Sequence, residues 1–341
     1  MDVAVVGAGS WGTALALSMA SQGKQVSLWV RNKQLYQSMK LKRRNELYLP
    51  QVKLPSEIKP TLNLEEAVKG KKYVFLVVPS QAVRETLSRL KPYLAKNAVL
   101  VNAAKGLEQG TSLRMSQVMQ EVLSEHNGNC RGLAVLSGPN HAEEVSQKIP
   151  SATVVASDCA EVAAEVQEIL MAPFLRVYTN ADLIGVEMGG ALKNIIALGA
   201  GIVEGLELGD NTRAALLTRG LIEIIRLGNA MGARGSTFTG LSGLGDLFVT
   251  SSSKHSRNMR VGTELGRGKS LKQVMSGMQM VAEGVNTTQV ANKLAVEKGV
   301  EMPITSEIYE VLFENKAPRE ALEALMQREK KGEVEDIAFD F

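Results

Sequence analysis

The amino-acid sequence predicts an α/β fold in which a mostly parallel sheet domain precedes an all-helical C-terminal domain. Apolar strand patterns rich in Val and Leu recur through the first half of the chain, with helical patterns between them. Such nearly continuous apolar strands are typical of a parallel sheet that helices cover on both faces. After residue 180 the strand pattern stops, and only helical patterns follow. The predicted strands are Val3–Val6, Val26–Val30, Tyr73–Val78, Ala98–Val101, Leu133–Leu136, Ala152–Ala156 and Val177–Asn180.

A glycine-rich turn joins the first predicted strand to the first helix and carries Gly7, Gly9 and Gly12 in a Gly-x-Gly-x-x-Gly pattern. Gly7 permits the tight turn, Gly9 lets the backbone approach a pyrophosphate, and Gly12 lets the helix pack on the strand. The phosphates would lie on the N–H groups of the helix that begins near Ser10. An ordinary glycine-bearing turn is the alternative, but the strand–turn–helix context favours a Rossmann-like dinucleotide site.

The end of the second predicted strand indicates which dinucleotide the site prefers. A strict NAD(H) site places Asp or Glu there to accept from the ribose 2′-hydroxyl. This chain has Arg31 and Lys33, with no carboxylate nearby. A guanidinium suits a 2′-phosphate, although a solvated surface arginine is the simpler alternative. We therefore expect NADP(H) to be favoured, without excluding NAD(H).

One further segment of the first half is assigned from its composition. Residues Arg43–Pro60 are polar and contain three prolines, so we expect a loop excursion.

Lys105, Gly138 and Asn140 follow the ends of predicted strands. In open α/β sheets, ligands bind at the edge formed by the carboxyl ends of the strands. These three residues are therefore candidates for the site.

The second half of the chain is predicted to be helical, and we place the domain boundary at the change of pattern. Residues 1–182 form the predicted dinucleotide-binding domain, and residues 183–341 form the predicted helical domain that binds substrate and carries the catalytic residue. The predicted helices are Leu183–Val203, Ala214–Met231, Asn258–Leu265, Leu271–Met275, Thr287–Lys298, Ile304–Glu314 and Pro318–Gln327.

Lys193 is the catalytic candidate. It is the sole charged residue between Met188 and Val203, in a helix that is apolar or small on nearly every side. Burying an ammonium group without a partner is costly, so Lys193 must reach solvent, form an ion pair or face a polar cleft. The helix alone does not separate a structural lysine from a catalytic one.

Groups that could partner this lysine occur downstream. Asp246 ends a glycine-rich loop that begins at Gly240. Ser256 has the position of a helix N-cap, and Arg257 and Asn258 follow it at the positive end of that helix. This cluster suits a substrate phosphate, although a flexible polar loop is the alternative.

Composition narrows the function classes. The chain has 341 residues and a net charge of +3, which is too small to indicate a nucleic-acid partner but suits an anionic substrate. The chain has two cysteines without the spacing of metal ligands and only three histidines, which disfavours a zinc site. The two cysteines also favour a reducing compartment. A strand at the start leaves no room for a signal peptide, and no apolar run is long enough for a membrane span. We expect a cytoplasmic protein without a metal.

Taken together, these motifs resemble the bacterial-type NAD(P)-dependent glycerol-3-phosphate dehydrogenases. The match runs in the family's order from residue 3 to about residue 328. The resemblance implies interconversion of sn-glycerol 3-phosphate and dihydroxyacetone phosphate, which supplies phospholipid synthesis, and the apolar helical domain suits a homodimer. The motifs are Gly7–Gly12, Ala104–Gly106, Gly138–Pro139, Gly189–Asn194, Thr218–Glu223, Gly240–Asp246, Ser256–Asn258 and Val281–Gly284.

The resemblance also implies roles for single residues. Lys193 would donate and accept the proton. Asn140 departs from the family, in which Ser or Thr is more frequent at this position, but its amide can still donate a hydrogen bond. The residues implied to contact the cofactor are Gly7, Gly9, Ser10, Trp11, Gly12, Arg31, Lys105, Ala142, Arg257, Val281 and Glu283. Those implied to contact the substrate are Lys105, Gly138, Asn140, Lys193, Asn194, Asp246, Ser256, Arg257 and Asn258.

The chemistry of ketone reduction suits this set, because the carbonyl oxygen needs an acid within hydrogen-bonding distance. Apolar burial and a nearby cation such as Lys105 would lower the pKa of Lys193, and a substrate phosphate would raise it. One alternative is a two-domain β-hydroxy acid dehydrogenase, which would need a clamp for a carboxylate. Another is a non-catalytic dinucleotide sensor, for example one that regulates DNA, although the sequence has no basic stripe to bind DNA.

Overall fold

The structure is a computed structural model that describes residues 2–124, 130–278, 282–330 and 332. Contacts between residues divide the chain into two compact units. The first unit comprises Met1–Ala104 and Met115–Leu183, and the second comprises Lys105–Arg114 and Ile184–Phe341. The mostly parallel sheet followed by a helical region, which the sequence predicts, is confirmed.

The segment Lys105–Arg114 groups with the second unit, whereas the predicted boundary kept it in the first domain. Leu107 is buried in the hydrophobic core of the helical unit. The Arg114 guanidinium lies 2.5 Å from a carboxylate oxygen of Glu187, and both side chains are largely buried. These partners lie far along the chain, so local patterns could not reveal them.

The first unit alternates strands and helices along the chain. Its elements are β1 (Asp2–Val6), α1 (Ser10–Ala20), β2 (Gln25–Trp29), α2 (Lys33–Leu41), β3 (Arg44–Asn45), β4 (Leu49–Lys53), β5 (Ile58–Thr61), α3 (Leu64–Val68), β6 (Tyr73–Leu76), α4 (Val83–Leu90), β7 (Val99–Asn102), α5 (Met115–Ser124), β8 (Gly132–Ser137), α6 (Ala142–Ser146), β9 (Ser151–Ala156), α7 (Ala160–Leu170) and β10 (Leu175–Asn180).

Eight of these strands form one sheet in the order β10-β9-β8-β7-β6-β1-β2-β5. Neighbouring strands are parallel except β8 and β9, which are antiparallel. Val3 of β1 lies opposite Val26 on one side and Tyr73 on the other. The chain builds outward from β1 through β2 to β5 and then returns to place β6 on the other side of β1. This reversal is the switch point at which such sheets bind ligands.

The prediction of a loop excursion at Arg43–Pro60 is wrong. The antiparallel pair β3 and β4 lies within it, and β5 adds a parallel strand at the edge of the large sheet. Ile58 of β5 is fully buried and lies opposite Val26. Pro60 cannot donate to a neighbouring strand, and an edge strand tolerates this. The prolines and polar residues do not form a recognisable strand pattern, and packing stabilises the short strands that form here.

The described part of the second unit is built almost entirely from helices, as predicted. These are α8 (Leu183–Gly205), α9 (Gly209–Ala230), α10 (Asp246–Ser252), α11 (Arg257–Gly266), α12 (Leu271–Ser276), α13 (Glu283–Lys298), α14 (Pro303–Phe313) and α15 (Pro318–Met326). The helix α10 has no counterpart among the predicted helices. A short π-helical turn, Leu241–Gly245, runs directly into α10.

Helix α8 lies in the core of the second unit. By length and composition it could cross a membrane, but its apolar window is entirely buried in the fold. Two of its glycines permit close packing: a Cβ on Gly189 would lie 2.7 Å from the carbonyl oxygen of Ser242, and one on Gly201 would collide with that of Met259. Close backbone packing therefore explains why this helix tolerates glycine, which lowers helix propensity.

Candidate functional site

The glycine-rich turn of the first unit has the local geometry that the sequence predicts. Gly7 has φ +122°, and a Cβ there would collide with the carbonyl oxygen of Val77. A Cβ on Gly12 would collide with the carbonyl oxygen of Gly7, so the turn and α1 pack without room for side chains. Gly9 precedes α1 as its N-cap, and a Cβ there would meet no atom within 4 Å. The turn therefore combines a fixed backbone with open space at a helix N-terminus, as a pyrophosphate requires.

The other predicted cofactor residues of the first unit lie at element boundaries. Ser10 and Trp11 begin α1, and the Trp11 ring packs partly buried against the sheet core. Arg31 is exposed in the turn between β2 and α2. The side chain of the next residue, Asn32, caps α2 by accepting from the backbone N–H of Leu35 at 2.9 Å. The Arg31 guanidinium is thus carried by a turn of defined structure.

Gly138, Asn140 and Ala142 follow β8. Gly138 has φ +132°, and a Cβ there would approach Cα of Thr153 to 3.1 Å. The Asn140 side chain donates from Nδ2 to the backbone carbonyl of Ala152 at 2.7 Å. The donor group expected at this position is therefore partly engaged by the neighbouring strand. Ala142 begins α6 and is buried.

In the second unit, one carboxylate joins two lysines that are far apart in the sequence. Nζ of Lys193 lies 2.8 Å from Oδ1 of Asp246, and Nζ of Lys105 lies 2.6 Å from its Oδ2. Lys193 projects from α8, Asp246 begins α10, and Lys105 lies just after β7. The side chains of Lys193 and Asp246 are 7% and 2% exposed. The ion pair with Asp246 therefore offsets the free-energy cost of burying the Lys193 ammonium group, and both residues belong to the predicted site.

This environment shifts the pKa values of both buried partners. Burial lowers the pKa of Lys193 to about 8 against the opposing carboxylate of Asp246, and the charges of Lys105 and Arg257 lower it as well. Burial acts to raise the pKa of Asp246, but the two adjacent ammonium groups outweigh it, and that pKa is lowered. Asp246 therefore stays ionised, while Lys193 can exchange a proton near neutral pH.

Sequence reasoning missed Thr250, which lies one helical turn after Asp246 on α10. Lys193 donates from Nζ to Oγ1 of Thr250, and that hydroxyl lies 3.2 Å from Oδ1 of Asp246. The spacing of four residues would have placed the two side chains on one helix face. Because α10 was not predicted, no feature of the sequence indicated that Thr250 lies beside Asp246.

Two side chains and two backbone groups connect this cluster across the helices. Asn194 donates from Nδ2 to the backbone carbonyl of Lys105 at 3.2 Å. Asn258 donates to Oδ1 of Asn194 at 2.8 Å and accepts at its own Oδ1 from the N–H of Gly284 at 2.9 Å. The chain of amides links α8, α11 and α13 and fixes the backbone of Lys105.

The remaining predicted residues lie at helix ends. Ser256 is the N-cap of α11 and accepts from the N–H of Met259 at 3.2 Å, which confirms the predicted cap. Arg257 is the first, exposed residue of this helix. Glu283 is the first residue of α13. Val281 lies outside the described residues. The positive charges of Lys105, Lys193 and Arg257 exceed the one negative charge of Asp246. The cluster therefore suits an anionic ligand.

Comparison with known protein families assigns both halves of the chain to the same family. Residues 2–163 match the family model described as NAD-dependent glycerol-3-phosphate dehydrogenase N-terminus. Residues 182–323 match the model described as NAD-dependent glycerol-3-phosphate dehydrogenase C-terminus. The two matches together span most of the chain.

Individual relatives agree with the family models. The chain is 53% identical to a glycerol-3-phosphate dehydrogenase [NAD(P)+] of Moorella thermoacetica and 52% identical to one of Carboxydothermus hydrogenoformans, each over 98% of both chains. Among solved structures, the crystal structure of glycerol-3-phosphate dehydrogenase from Coxiella burnetii aligns with a TM-score of 0.91 at 38% identity. That alignment covers 96% of this chain and 99% of the other.

Proposed function

Because the chain belongs to the NAD-dependent glycerol-3-phosphate dehydrogenase family, we propose that it is an oxidoreductase that interconverts sn-glycerol 3-phosphate and dihydroxyacetone phosphate. The glycerol 3-phosphate would supply phospholipid synthesis. The observation that carries the proposal is the buried cluster in which Lys193 and Lys105 share the carboxylate of Asp246. This cluster offers an ionisable donor and an excess of positive charge to a small phosphorylated ketone.

The two parts of the chain would divide the work. Residues 1–182 would bind the dinucleotide, and residues 183–341, together with Lys105, would bind the substrate and carry the proton-transfer group. The switch point beside β1 supports the first assignment. The packing of the Lys105 segment in the second unit and its contact with Asp246 support the second.

The residues of the glycine-rich turn fit a nicotinamide dinucleotide. Gly7 and Gly12 leave no room for a Cβ, Gly9 borders open space, and α1 presents its N-terminal N–H groups there. Gly7, Gly9 and Gly12 with Ser10 and Trp11 would hold the pyrophosphate region, and Arg31 the ribose end. A nicotinamide dinucleotide supplies or accepts the hydride when bound.

Lys193 would act as the acid and base of the reaction. In the reducing direction its ammonium group would donate a proton to the carbonyl oxygen at C2, and in the oxidising direction the neutral amine would accept the hydroxyl proton. Its lowered pKa of about 8 brings both forms within reach near neutral pH. Asp246 and Thr250 hold Nζ in place through its ion pair and hydrogen bond.

The substrate phosphate would bind among the groups at the N-terminus of α11. Arg257 can form paired hydrogen bonds to phosphate oxygens, and the helix end favours negative charge. The amide of Asn258 is held by Asn194 and Gly284, so its remaining N–H has a defined direction. Gly138 and Asn140 are proposed to complete the substrate-binding residues, and Ala142 and Glu283 are proposed to contact the cofactor.

We further propose a preference for NADP(H), a cytoplasmic location and a homodimer. Arg31, with no carboxylate in the turn after β2, supports the cofactor preference. Cys130 and Cys159 are both free thiols, which suits a reducing compartment. The dimer is proposed from the apolar composition of residues 183–341 in the sequence.

The direct test is the absorbance of the reduced nicotinamide at 340 nm. Adding dihydroxyacetone phosphate to the protein and NADPH should cause a decay, and adding sn-glycerol 3-phosphate to the protein and NADP⁺ should cause the reverse change. Dihydroxyacetone, which has no phosphate, is the matched control and should react poorly.

Other outcomes point to other functions. Decay with a β-keto acid but not with dihydroxyacetone phosphate would indicate a β-hydroxy acid dehydrogenase. Tight NADPH binding without decay on any of these ketones would indicate a dinucleotide sensor. Either result would contradict the proposed function.

A further inference from the structure

One buried side chain, that of Asn45 on β3, connects the β3–β4 hairpin with the glycine-rich turn. Its Nδ2 donates to the carbonyl oxygen of Ala8 at 3.0 Å and to Oγ1 of Thr13 at 2.7 Å. Its Oδ1 accepts from the backbone N–H of Tyr48 at 3.0 Å. Asn45 has no exposed surface, so these hydrogen bonds offset the cost of burying its amide. Both ends of the amide are therefore engaged, and its orientation is determined.

Apolar packing holds the same hairpin against α1. Leu49, the first residue of β4, is buried in a small cluster with Ala14 of α1. Ala142 and Val145 of α6 belong to this cluster as well. The hairpin thus contacts α1 at two points, one polar and one apolar. These contacts hold the Asn45 side chain in place, so it can restrict the conformation of the glycine-rich turn.

The geometry of a peptide bond transmits this constraint to Gly9. The peptide between Ala8 and Gly9 is trans, so its carbonyl and its N–H point in opposite directions. The bond from Asn45 holds the carbonyl of Ala8 toward β3, and the N–H of Gly9 must point to the opposite side. Gly9 borders open space, since a Cβ built there meets no atom within 4 Å.

We infer that Asn45 is a positioning residue for the dinucleotide, because it holds the peptide that presents the Gly9 N–H to the pyrophosphate. The inference rests on the part of the proposed function that places a dinucleotide at this turn. Without the amide donor, the Ala8 carbonyl is free to rotate, and in the rotated peptide an oxygen replaces a donor beside the phosphates. Losing one hydrogen bond to a charged group predicts a weakening of about 10- to 100-fold.

The test compares wild-type protein with Asn45→Ala and Asn45→Asp. The aspartate retains an oxygen that can accept from the N–H of Tyr48 but lacks the amide that donates to Ala8 and Thr13. Both variants should raise the Kd of NADPH, measured by nicotinamide fluorescence, and its KM by about 10- to 100-fold. The kcat and the KM for dihydroxyacetone phosphate should remain near their wild-type values.

Two comparisons separate positioning from a general loss of structure. Adenosine 2′-monophosphate has no pyrophosphate, so its Kd, measured by competition, should not change in the variants. Asn63→Ala is the matched control, because Asn63 caps α3 by accepting from the N–H of Glu66 at 3.2 Å and makes no hydrogen bond to the turn. It should lose a similar local bond without changing the Kd of NADPH.

The outcomes are distinguishable. A folded Asn45→Asp protein that binds NADPH as wild type does would overturn the inference. So would equal losses of affinity for NADPH and for adenosine 2′-monophosphate, which would indicate a structural role. If the wild-type protein binds NADPH but does not reduce dihydroxyacetone phosphate, the proposed function fails, while the Asn45 comparison still stands or falls on Kd.

Discussion

The ammonium group of Lys193 lies 2.8 Å from the carboxylate of Asp246, and both side chains are almost completely buried. Asp246 has a second cation, Lys105, on its other oxygen. One carboxylate therefore stabilises both ammonium groups. Lys193 is held in place while its pKa stays low enough for proton exchange near neutral pH.

Replacing Lys193 by Met should remove proton transfer while keeping the length and apolar stem of the side chain. General acid–base catalysis typically contributes about 10²- to 10⁴-fold, and we expect kcat to fall by a factor in this range. The Kd of NADPH should stay within about twofold of the wild-type value, since Lys193 lies outside the glycine-rich turn. A kcat within threefold of wild type would exclude the proposed role.

The pH dependence of the two directions should be opposite. Reduction of dihydroxyacetone phosphate needs the ammonium form of Lys193, so its kcat/KM should fall as the pH rises through about 8. Oxidation of sn-glycerol 3-phosphate needs the neutral amine, so its kcat/KM should rise through the same range. Initial rates between pH 6 and 10 in both directions test this, and parallel profiles would contradict the assignment.

Arg257→Ala should act on the substrate phosphate. Loss of a hydrogen bond to a charged group predicts a rise in the KM for dihydroxyacetone phosphate of about 10- to 100-fold. Because Arg257 lowers the pKa of Lys193, the variant should also shift the pH profile toward higher pH. Arg267→Ala is the control, since this arginine pairs with Glu264 at the other end of α11. An unchanged KM in the Arg257 variant would remove that residue from the site.

Thr250→Val should show whether the hydroxyl beside Lys193 contributes to the reaction. The valine retains the branched shape but cannot accept the hydrogen bond from Nζ. A net cost of about 1 kcal/mol predicts a loss of kcat/KM of about five- to tenfold, and Thr250→Ser should restore most of it. Thr263→Val removes a hydroxyl bonded only to the backbone of α11 and serves as the control. Equal effects of the two valines would count against Thr250.

Arg31→Ala should change the choice of cofactor. If the guanidinium contacts the 2′-phosphate, kcat/KM for NADPH should fall by at least tenfold while that for NADH changes little. Arg176→Ala is a matched control, because Arg176 is an exposed arginine on β10, at the opposite end of the sheet from β2 and β5. A clear wild-type preference for NADH would contradict the proposed role directly.

Much of the fold was predictable because the relevant patterns are local. The glycine spacing at Gly7–Gly12 lies within six residues, and the flanking strand and helix have strong periodicity of their own. The helix around Lys193 was recognisable as buried because it lacks a polar face. The N-cap at Ser256 follows from residue types over a few positions. In each case the backbone conformation depends on neighbours in the chain.

The β3–β4 hairpin and α10 were not predictable in the same way. The strand β3 has two residues, and the burial of β4 does not alternate regularly. Helix α10 has seven residues and continues from a π-helical turn rich in glycine. Short elements of this kind have little propensity by themselves, and packing against the rest of each unit stabilises them.

By itself, the sequence determined the class of the fold, the glycine-rich turn between β1 and α1, and the identity of Lys193 as an unusual buried cation. Only the tertiary structure decided that Lys105 and Asp246, separated by 141 positions, form one ion pair, and that Asn45 reaches Ala8 across 37. The physical reason is that periodicity reports which face of an element is buried. It does not report which distant polar group that face meets, since this depends on how the elements pack.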